Sequence, residues 1–194
     1  MGRFKVSTSV AVMMTLLLLL TGCSNSRGPE PLPTSSIPAT PAAGDVSSPG
    51  DAPTSQMAPQ VTFTDMSGES VTMASLRGGV VVVYFWATYC IPCIEKLPRM
   101  QAIHEAYRNK GVKIWALSLD GDADVVAGWL EKQDLTIPVG LVDDEMREKF
   151  FPGKKIVSIP QTLLIDDKGH IAAWLGAEMT IQELEESIKA LLGD

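Results

Sequence analysis

Cysteine is scarce in this sequence, with three residues in a chain of 194. A small scaffold held together by disulfides would carry more cysteines in a shorter chain, so that class of protein is excluded. The three cysteines are also unevenly placed. Cys23 follows an apolar run, whereas Cys90 and Cys93 are separated by two residues. This placement predicts one role for Cys23 and another for the pair.

Basic residues are also in the minority, with 16 Lys and Arg against 23 Asp and Glu and a formal net charge of −7. Proteins that bind nucleic acids neutralise phosphates with a basic surface, so the charge argues against a nucleic-acid partner. Hydrophobic residues make up 45% of the chain, which is normal for a protein with an apolar core. At this length we expect one domain plus additional segments.

Long apolar runs are few, and the main one covers residues 10–20, shortly after the basic residues Arg3 and Lys5. This run is shorter than the roughly 20 residues that a membrane-spanning helix needs. A basic start followed by a short apolar run is typical of a secretory signal peptide. A marginal membrane helix is the alternative interpretation.

The run ends in Leu-Thr-Gly-Cys at residues 20–23, which resembles the lipoprotein box of bacteria. The resemblance implies that residues 1–22 are a signal peptide and that Cys23 is lipidated, so that acyl chains hold the protein at a membrane. The expected location is extracytoplasmic, at the periplasmic face. Ser24 stands where an Asp would signal retention in the inner membrane, which favours the outer membrane if the host is Gram-negative.

The segment that follows, residues 23–59, is rich in Pro, Ser, Ala and Thr and has almost no large apolar side chains. Such a segment cannot bury enough surface to offset the entropy lost on ordering. We therefore predict a disordered tether that ends at residue 59, followed by a folded domain over residues 60–194. The tether either gives the domain reach from the membrane or is a spacer without a specific role.

Strands and helices alternate in the predicted domain, which closes with a hairpin and a helix. This order predicts an α/β protein with a central mixed sheet flanked by helices. A short strand pair is expected first, at residues 61–64 and 71–73. The β-branched run at residues 80–85 is typical of a strand covered on both faces. Residues 166–169 have the composition of a hairpin turn.

Polar residues mark the ends of two later helices. Asp122 can cap a helix that we expect to reach about Gln133. Thr180 and Glu183 have the spacing of a capping box, which predicts the start of the final helix.

The Cys-X-X-Cys pair permits two kinds of chemistry, a zinc site or a reversible disulfide. A structural zinc site needs two more ligands, and His104 and His170 are distant in sequence. The pair follows a predicted buried strand and begins a helix, where unpaired N–H groups and the helix dipole stabilise a thiolate. We therefore expect Cys90 to be the nucleophile and Cys93, one turn inward, to resolve the mixed disulfide.

The motif Trp-Ala-Thr-Tyr-Cys-Ile-Pro-Cys at residues 86–93 resembles the active site of thioredoxin-like proteins. More narrowly, residues 59–192 resemble the TlpA/ResA-like thiol–disulfide oxidoreductases, which also share Leu-Pro at residues 97–98 and Ile-Pro-Gln-Thr at residues 159–162. The resemblance implies a thioredoxin-like fold with a strand–helix insertion and a redox-active disulfide between Cys90 and Cys93. No metal is expected, because two further zinc ligands are lacking, and no other cofactor is expected. It also makes Pro160 a cis-proline, where the residues alone permit an ordinary turn proline. Substrate contacts are expected from Trp86, Ile159 and Pro160.

The resemblance implies the partners as well. They are thiols and disulfides of exported proteins, together with a membrane electron donor or acceptor. The usual task in this family is the reduction of specific disulfides, in some members during cytochrome c maturation. An oxidising role stays open, because direction depends on reduction potentials. A different class of function is a thioredoxin-fold binding or chaperone lipoprotein without catalysis.

The sequence departs from the family pattern at three positions near the pair. The family often has an acidic residue three positions after the second cysteine, where this chain has Lys96, and Glu95 is one position early. Lys96 would either favour the thiolate or simply reach water, so both residues are possible modulators of the thiol pKa. Tyr84 stands where thioredoxin has a buried Asp. We hypothesise slower proton transfer from Cys93 and a potential less reducing than that of thioredoxin.

Overall fold

The computed structural model describes residues 56–193. The predicted signal peptide, the predicted lipidation site at Cys23 and the predicted tether before residue 56 lie outside the described residues. Within this range, none of the helices has both the length and the apolar character needed to cross a bilayer.

The described part of the chain contains seven strands and four α-helices. The strands are β1 (Thr62–Thr64), β2 (Ser70–Thr72), β3 (Val80–Trp86), β4 (Val112–Ser118), β5 (Val139–Leu141), β6 (Gln161–Ile165) and β7 (Ile171–Leu175). The helices are α1 (Ile91–Tyr107), α2 (Ala123–Leu130), α3 (Asp144–Phe150) and α4 (Ile181–Leu192). Short 3-10 turns cover Met73–Leu76 and Arg108–Lys110.

The central sheet has five strands in the order β5-β4-β3-β6-β7. β3 is parallel to β4 and β4 to β5, whereas β6 is antiparallel to both β3 and β7. β1 and β2 form a separate antiparallel pair. The predicted mixed sheet with an N-terminal strand pair is therefore confirmed. This topology places the C-terminal ends of β3 and β4 and the start of β6 at the same end of the sheet.

Strand β3 is the centre of the core, because each of its residues is at most 2% exposed. Alternate side chains enter two separate apolar clusters. Val82 and Tyr84 lie in the cluster that includes residues of α1 and α4, and Val83 and Phe85 lie in the cluster that includes residues of β1 and α3. The β-branched run in the sequence is thus a strand covered on both faces, as predicted.

The folded part of the chain begins earlier than the predicted boundary at residue 60. The backbone N–H of Ala58 donates to Gly169 O at 2.9 Å, and that of Ile171 donates to Gln56 O at 2.8 Å. The segment therefore pairs with the start of β7, and Ala58 is buried. Composition did not reveal this pairing, because backbone hydrogen bonds at a sheet edge do not depend on large apolar side chains.

Helix α2 is shorter than predicted and ends at Leu130 instead of near Gln133. Beyond that point the chain changes to tighter turns, since Lys132 N–H donates to Trp129 O and Gln133 N–H donates to Leu130 O. The helix starts as expected, with the Asp122 carboxylate accepting from Asp124 N–H. The capping box at the start of α4 is also present as predicted.

Candidate active site

Cys90 and Cys93 lie at the junction between β3 and α1. Cys90 is the N-cap of α1, and Cys93 lies in its first turn. The two sulfurs form a disulfide with an S–S distance of 2.04 Å and a Cα–Cα distance of 5.2 Å. Cys90 is 8% exposed and Cys93 is 0% exposed. Both residues are mostly buried, and the small exposed fraction of the pair belongs to Cys90, the predicted nucleophile.

The backbone around the pair forms a tight turn into the helix. Cys90 N–H donates to Ala87 O at 3.1 Å, and the N–H groups of Cys93 and Ile94 donate to Cys90 O at 3.0 and 3.1 Å. Pro92 occupies the first turn, where its missing N–H costs no helical hydrogen bond. The arrangement directs the start of α1 towards Cys90, so that a thiolate there benefits from the helix dipole.

The Ile159–Pro160 bond lies next to the Cys90 sulfur and is cis. Ile159 O is 3.8 Å from Cys90 Sγ. Ile159 is half-buried and Pro160 is buried, so Ile159 is the more accessible of these two predicted substrate contacts. A polypeptide that pairs with the backbone at this point would place its own sulfur beside Cys90.

Trp86 does not have the role expected from the sequence. Its side chain is 0% exposed, so it cannot contact a substrate directly in this structure. The ring packs against Trp129 with the centroids 4.9 Å apart, and its indole nitrogen is buried without a hydrogen-bond partner. Trp86 therefore packs in the core at the end of β3, next to the turn that leads to Cys90. The two sequence neighbours of Cys90, Tyr89 and Ile91, are instead exposed, at 71% and 66%.

Tyr84 lies beneath the pair, at the position where thioredoxin has an acid. Its hydroxyl donates to Cys93 O at 3.0 Å, and the side chain is fully buried. Burial raises the pKa of the Tyr84 phenol, which keeps it neutral at physiological pH. Tyr84 thus holds the first turn of α1 as a hydrogen-bond donor.

Lys96 and Glu95 follow the pair on α1. The Lys96 ammonium donates to Ala177 O at 2.5 Å and to Met179 O at 2.8 Å, both in the loop before α4. Burial lowers the pKa of Lys96, and the nearby Glu178 opposes that shift. Glu95 is exposed. Lys96 therefore fastens α1 to the loop before α4, a role that sequence reasoning missed.

A second group that sequence reasoning missed is Asp120, which directly follows β4. Asp120 is 7% exposed, and its carboxylate accepts two hydrogen bonds from Thr88, two positions before Cys90. The parallel pairing of β3 with β4 provides a signal for this contact, because the ends of neighbouring parallel strands lie at the same edge of a sheet. An acid directly after β4 therefore lies beside the turn that follows β3.

The geometry of the site agrees with the comparisons with known proteins. A model of the AhpC/TSA family matches residues 54–174. The chain belongs to the AhpC/TSA family. It is similar to "Thiol-disulfide oxidoreductase ResA" of Oceanobacillus iheyensis, with 34% identity over 122 residues, or 62% of each chain. A protein of the same name from Bacillus cereus is 30% identical over 128 residues, covering 66% of this chain and 72% of that one.

Solved structures support the same assignment. A putative thiol:disulfide interchange protein DsbE from Chlorobium tepidum has 25% identity and a TM-score of 0.64, covering 74% of this chain and 99% of that chain. A putative protein disulfide isomerase from Bacteroides thetaiotaomicron has 26% identity and a TM-score of 0.60, covering 71% and 91% of the two chains. This AhpC/TSA protein is therefore a thiol–disulfide oxidoreductase with a thioredoxin-like fold.

Replacing Tyr84 with Phe tests the hydrogen bond beneath the pair. We expect Tyr84→Phe to lower the free energy of unfolding by about 1 kcal/mol, because the buried Cys93 carbonyl loses a donor. Urea unfolding of the oxidised protein measures this. Tyr107→Phe is the control, since the Tyr107 hydroxyl, at the far end of α1, also donates one hydrogen bond, to Glu185 Oε1 at 2.8 Å. The reduction potential should move in Tyr84→Phe and stay unchanged in Tyr107→Phe, and equal potentials in the two variants would contradict a role at the redox pair.

Replacing Lys96 with Met separates a structural role from a role in tuning the thiol. We expect Lys96→Met to destabilise the fold by about 1 kcal/mol, because two carbonyls lose their donor. The alkylation rate of Cys90 should stay within about twofold, a pKa change of about 0.3. Lys113→Met is the matched control, since Lys113 also donates to a loop carbonyl, Leu76 O at 2.9 Å. A large loss of Cys90 reactivity in Lys96→Met alone would show that Lys96 stabilises the thiolate.

Proposed function

We propose that this protein is a membrane-anchored, extracytoplasmic thiol–disulfide oxidoreductase that reduces disulfides of exported proteins. The observation that carries the proposal is the difference between the two sulfurs, since Cys90 is 8% exposed and Cys93 is 0% exposed. The more accessible residue is Cys90, so its sulfur is the one that attacks an incoming protein in this proposal, and Cys93 lies in the first helical turn behind it. Ile159 O, 3.8 Å from Cys90 Sγ, offers an adjacent backbone group for a bound polypeptide.

The reaction starts from the dithiol form. The Cys90 thiolate attacks one sulfur of a substrate disulfide, and the other substrate sulfur leaves as a thiolate and takes up a proton. The Cys93 thiol then loses its proton and attacks Cys90 Sγ, which releases the second substrate sulfur. The substrate gains two electrons and two protons, and the enzyme becomes the Cys90–Cys93 disulfide. A membrane electron donor returns it to the dithiol.

The membrane anchor in this proposal rests on the sequence before residue 56. Cys23, with acyl chains, holds the chain at the membrane, and the Pro/Ser-rich tether gives the domain reach. Fractionation of cells that express the full chain tests the anchor. The wild-type protein should sediment with membranes and Cys23→Ala should not. Equal distribution of the two proteins would contradict lipid anchoring through Cys23.

The substrates that we propose include apocytochrome c. The relatives are named ResA, and the resemblance of the sequence to TlpA/ResA-like proteins implied a role in cytochrome c maturation for some members. The decisive experiment is to trap the substrate in cells. Cys93→Ala should accumulate mixed disulfides through Cys90, which are identified by non-reducing electrophoresis and mass spectrometry. The double variant Cys90→Ala/Cys93→Ala is the control for non-specific capture. Trapped proteins without cytochrome motifs would redirect the choice of substrate.

The direction of electron flow has its own measurement. A reductase is kept mainly in the dithiol form in cells, whereas an oxidase is kept mainly as the disulfide. Rapid acid quenching and alkylation of growing cells report this ratio, and a predominantly oxidised protein would overturn the reductive assignment. A binding protein without catalysis would instead show a Cys90 thiol that reacts no faster than an unperturbed cysteine.

A further inference from the structure

The carboxylate of Asp120 is tied to the turn that presents Cys90. Oδ2 accepts from the backbone N–H of Thr88 at 2.8 Å, and Oδ1 accepts from the Thr88 hydroxyl at 2.8 Å. The Ser118 hydroxyl donates to Oδ2 at 2.6 Å and accepts from the Asp120 N–H at 3.0 Å. Asp120 is 7% exposed and Ser118 is 0% exposed. Three donors therefore converge on one buried carboxylate.

Backbone hydrogen bonds hold the base of this cluster on both sides. Trp86 pairs with Ser118 across β3 and β4, and Leu119 N–H donates to Trp86 O at 2.8 Å. The guanidinium of Arg147, on α3, donates to Leu119 O at 3.4 Å. Asp120 thus projects from a backbone that is held on both sides, and Thr88 is the part of the loop that it fixes.

We propose that Asp120 is a positioning residue that acts through Thr88 to keep Cys90 at the start of α1 when the disulfide is open. Cys90 is the N-cap of α1, and in the oxidised protein the S–S bond also ties its side chain to the first turn of the helix. Reduction breaks that bond, and the turn from Ala87 to Cys90 then depends on hydrogen bonds. The two bonds from Thr88 to Asp120 join this turn to β4. The inference rests on the exchange reaction of the Cys90–Cys93 pair and not on its direction.

A positioning role and a simple effect of charge predict opposite results. A thiolate at Cys90 is stabilised by the start of α1, so a displaced Cys90 has a higher thiol pKa. A buried negative charge nearby disfavours a thiolate, so the loss of that charge alone would lower the thiol pKa. The sign of the change therefore distinguishes the two roles.

The experiment measures the alkylation rate of Cys90 against pH in the full-length dithiol protein, with iodoacetamide as the probe and mass spectrometry of the peptide that carries Cys90. Asp120→Ala should raise the thiol pKa and slow alkylation at pH 7 by about threefold to tenfold. Asp120→Asn should recover most of the rate, because an amide oxygen can still accept from Thr88 N–H. Thr88→Val should show a smaller loss, and it should add nothing to Asp120→Ala.

Asp65→Ala is the matched control. Asp65 Oδ1 also accepts from three donors, the Ser67 N–H and hydroxyl and the Glu69 N–H, but it lies in the turn between β1 and β2. This variant should leave the alkylation profile unchanged. Circular dichroism and urea unfolding show whether each variant is folded. If Asp120→Ala does not fold, Thr88→Val decides the question, because it removes only the bond from the hydroxyl.

Two results would overturn the proposal. One is an unchanged or lower pKa of the Cys90 thiol in the folded Asp120→Ala protein. If Asp120→Ala does not fold, the same result in Thr88→Val would overturn the proposal. The other is an equal rise of the thiol pKa in Asp120→Ala and Asp120→Asn, because an amide oxygen that still accepts from Thr88 N–H should keep Cys90 in place. The proposed reductive function is tested by a different measurement, the redox state of the protein in cells. A failure of one proposal can therefore be distinguished from a failure of the other.

Discussion

Replacing Cys90 with Ala should abolish disulfide exchange, with a fall in rate of about 10³-fold or more. The reason is that Cys93, the sulfur that remains, is 0% exposed and lies behind the first turn of α1. A substrate disulfide cannot reach it in line for attack. Reduction of a protein disulfide such as that of insulin, with dithiothreitol as the electron source, measures the loss.

The complementary variant separates attack from resolution. Cys93→Ala retains the Cys90 sulfur, so it should still form mixed disulfides at close to the wild-type rate. Turnover should fall, because the internal thiol that releases the product is missing. For Cys93→Ala, the single-turnover rate should therefore stay high while the multiple-turnover rate falls. For Cys90→Ala, both rates should fall. Near-normal turnover by Cys90→Ala would reverse the assignment of the two cysteines.

Replacing Gly79 with Ala should produce the largest loss of stability among substitutions outside the core side chains. A Cβ at this position overlaps the carbonyl oxygen of Gly111 and lies 3.2 Å from its carbonyl carbon. That oxygen is held in place, since it accepts from Val80 N–H at 2.9 Å at the start of β3. The obstacle is backbone and cannot rotate away, so we expect a destabilisation of about 3 kcal/mol or more.

Urea unfolding checks this value, and Gly128→Ala is the control. Gly128 lies within α2, and a Cβ there meets no atom within 4 Å. Because Ala favours a helix over Gly, Gly128→Ala should stabilise the protein by about 0.5 to 1 kcal/mol. A similar effect of the two substitutions would show that the contact between Gly79 and Gly111 relaxes at little cost.

Local sequence signals were sufficient to locate the redox pair. The β-branched run ends at a Cys-X-X-Cys motif with Pro92 in the first helical turn, and the structure has β3, the Cys90 N-cap and α1 in that order. The chemistry of this junction depends on residues that are close in sequence. The exposure of Cys90 and the burial of Cys93 follow from the start of the helix and from its apolar face.

Contacts between distant residues were harder to predict. Asp120 meets Thr88 only because β3 and β4 are adjacent and parallel, and Lys96 reaches the loop before α4 only because α1 and α4 cover the same face of the sheet. Neither contact leaves a periodic pattern. Trp86 was assigned to the substrate surface because its motif lies beside the cysteines, but as the last residue of β3 it points into the core.

The proximity of the two cysteines, with their Cα atoms 5.2 Å apart, also affects how the protein withstands peroxides. An oxidant that converts the Cys90 thiolate to a sulfenic acid places that group next to the Cys93 thiol. Condensation of the two yields the disulfide and releases water, before a second equivalent of oxidant can form an irreversible sulfinic acid. Oxidative damage at Cys90 is thereby converted into the ordinary oxidised form of the protein, which a reductant can repair.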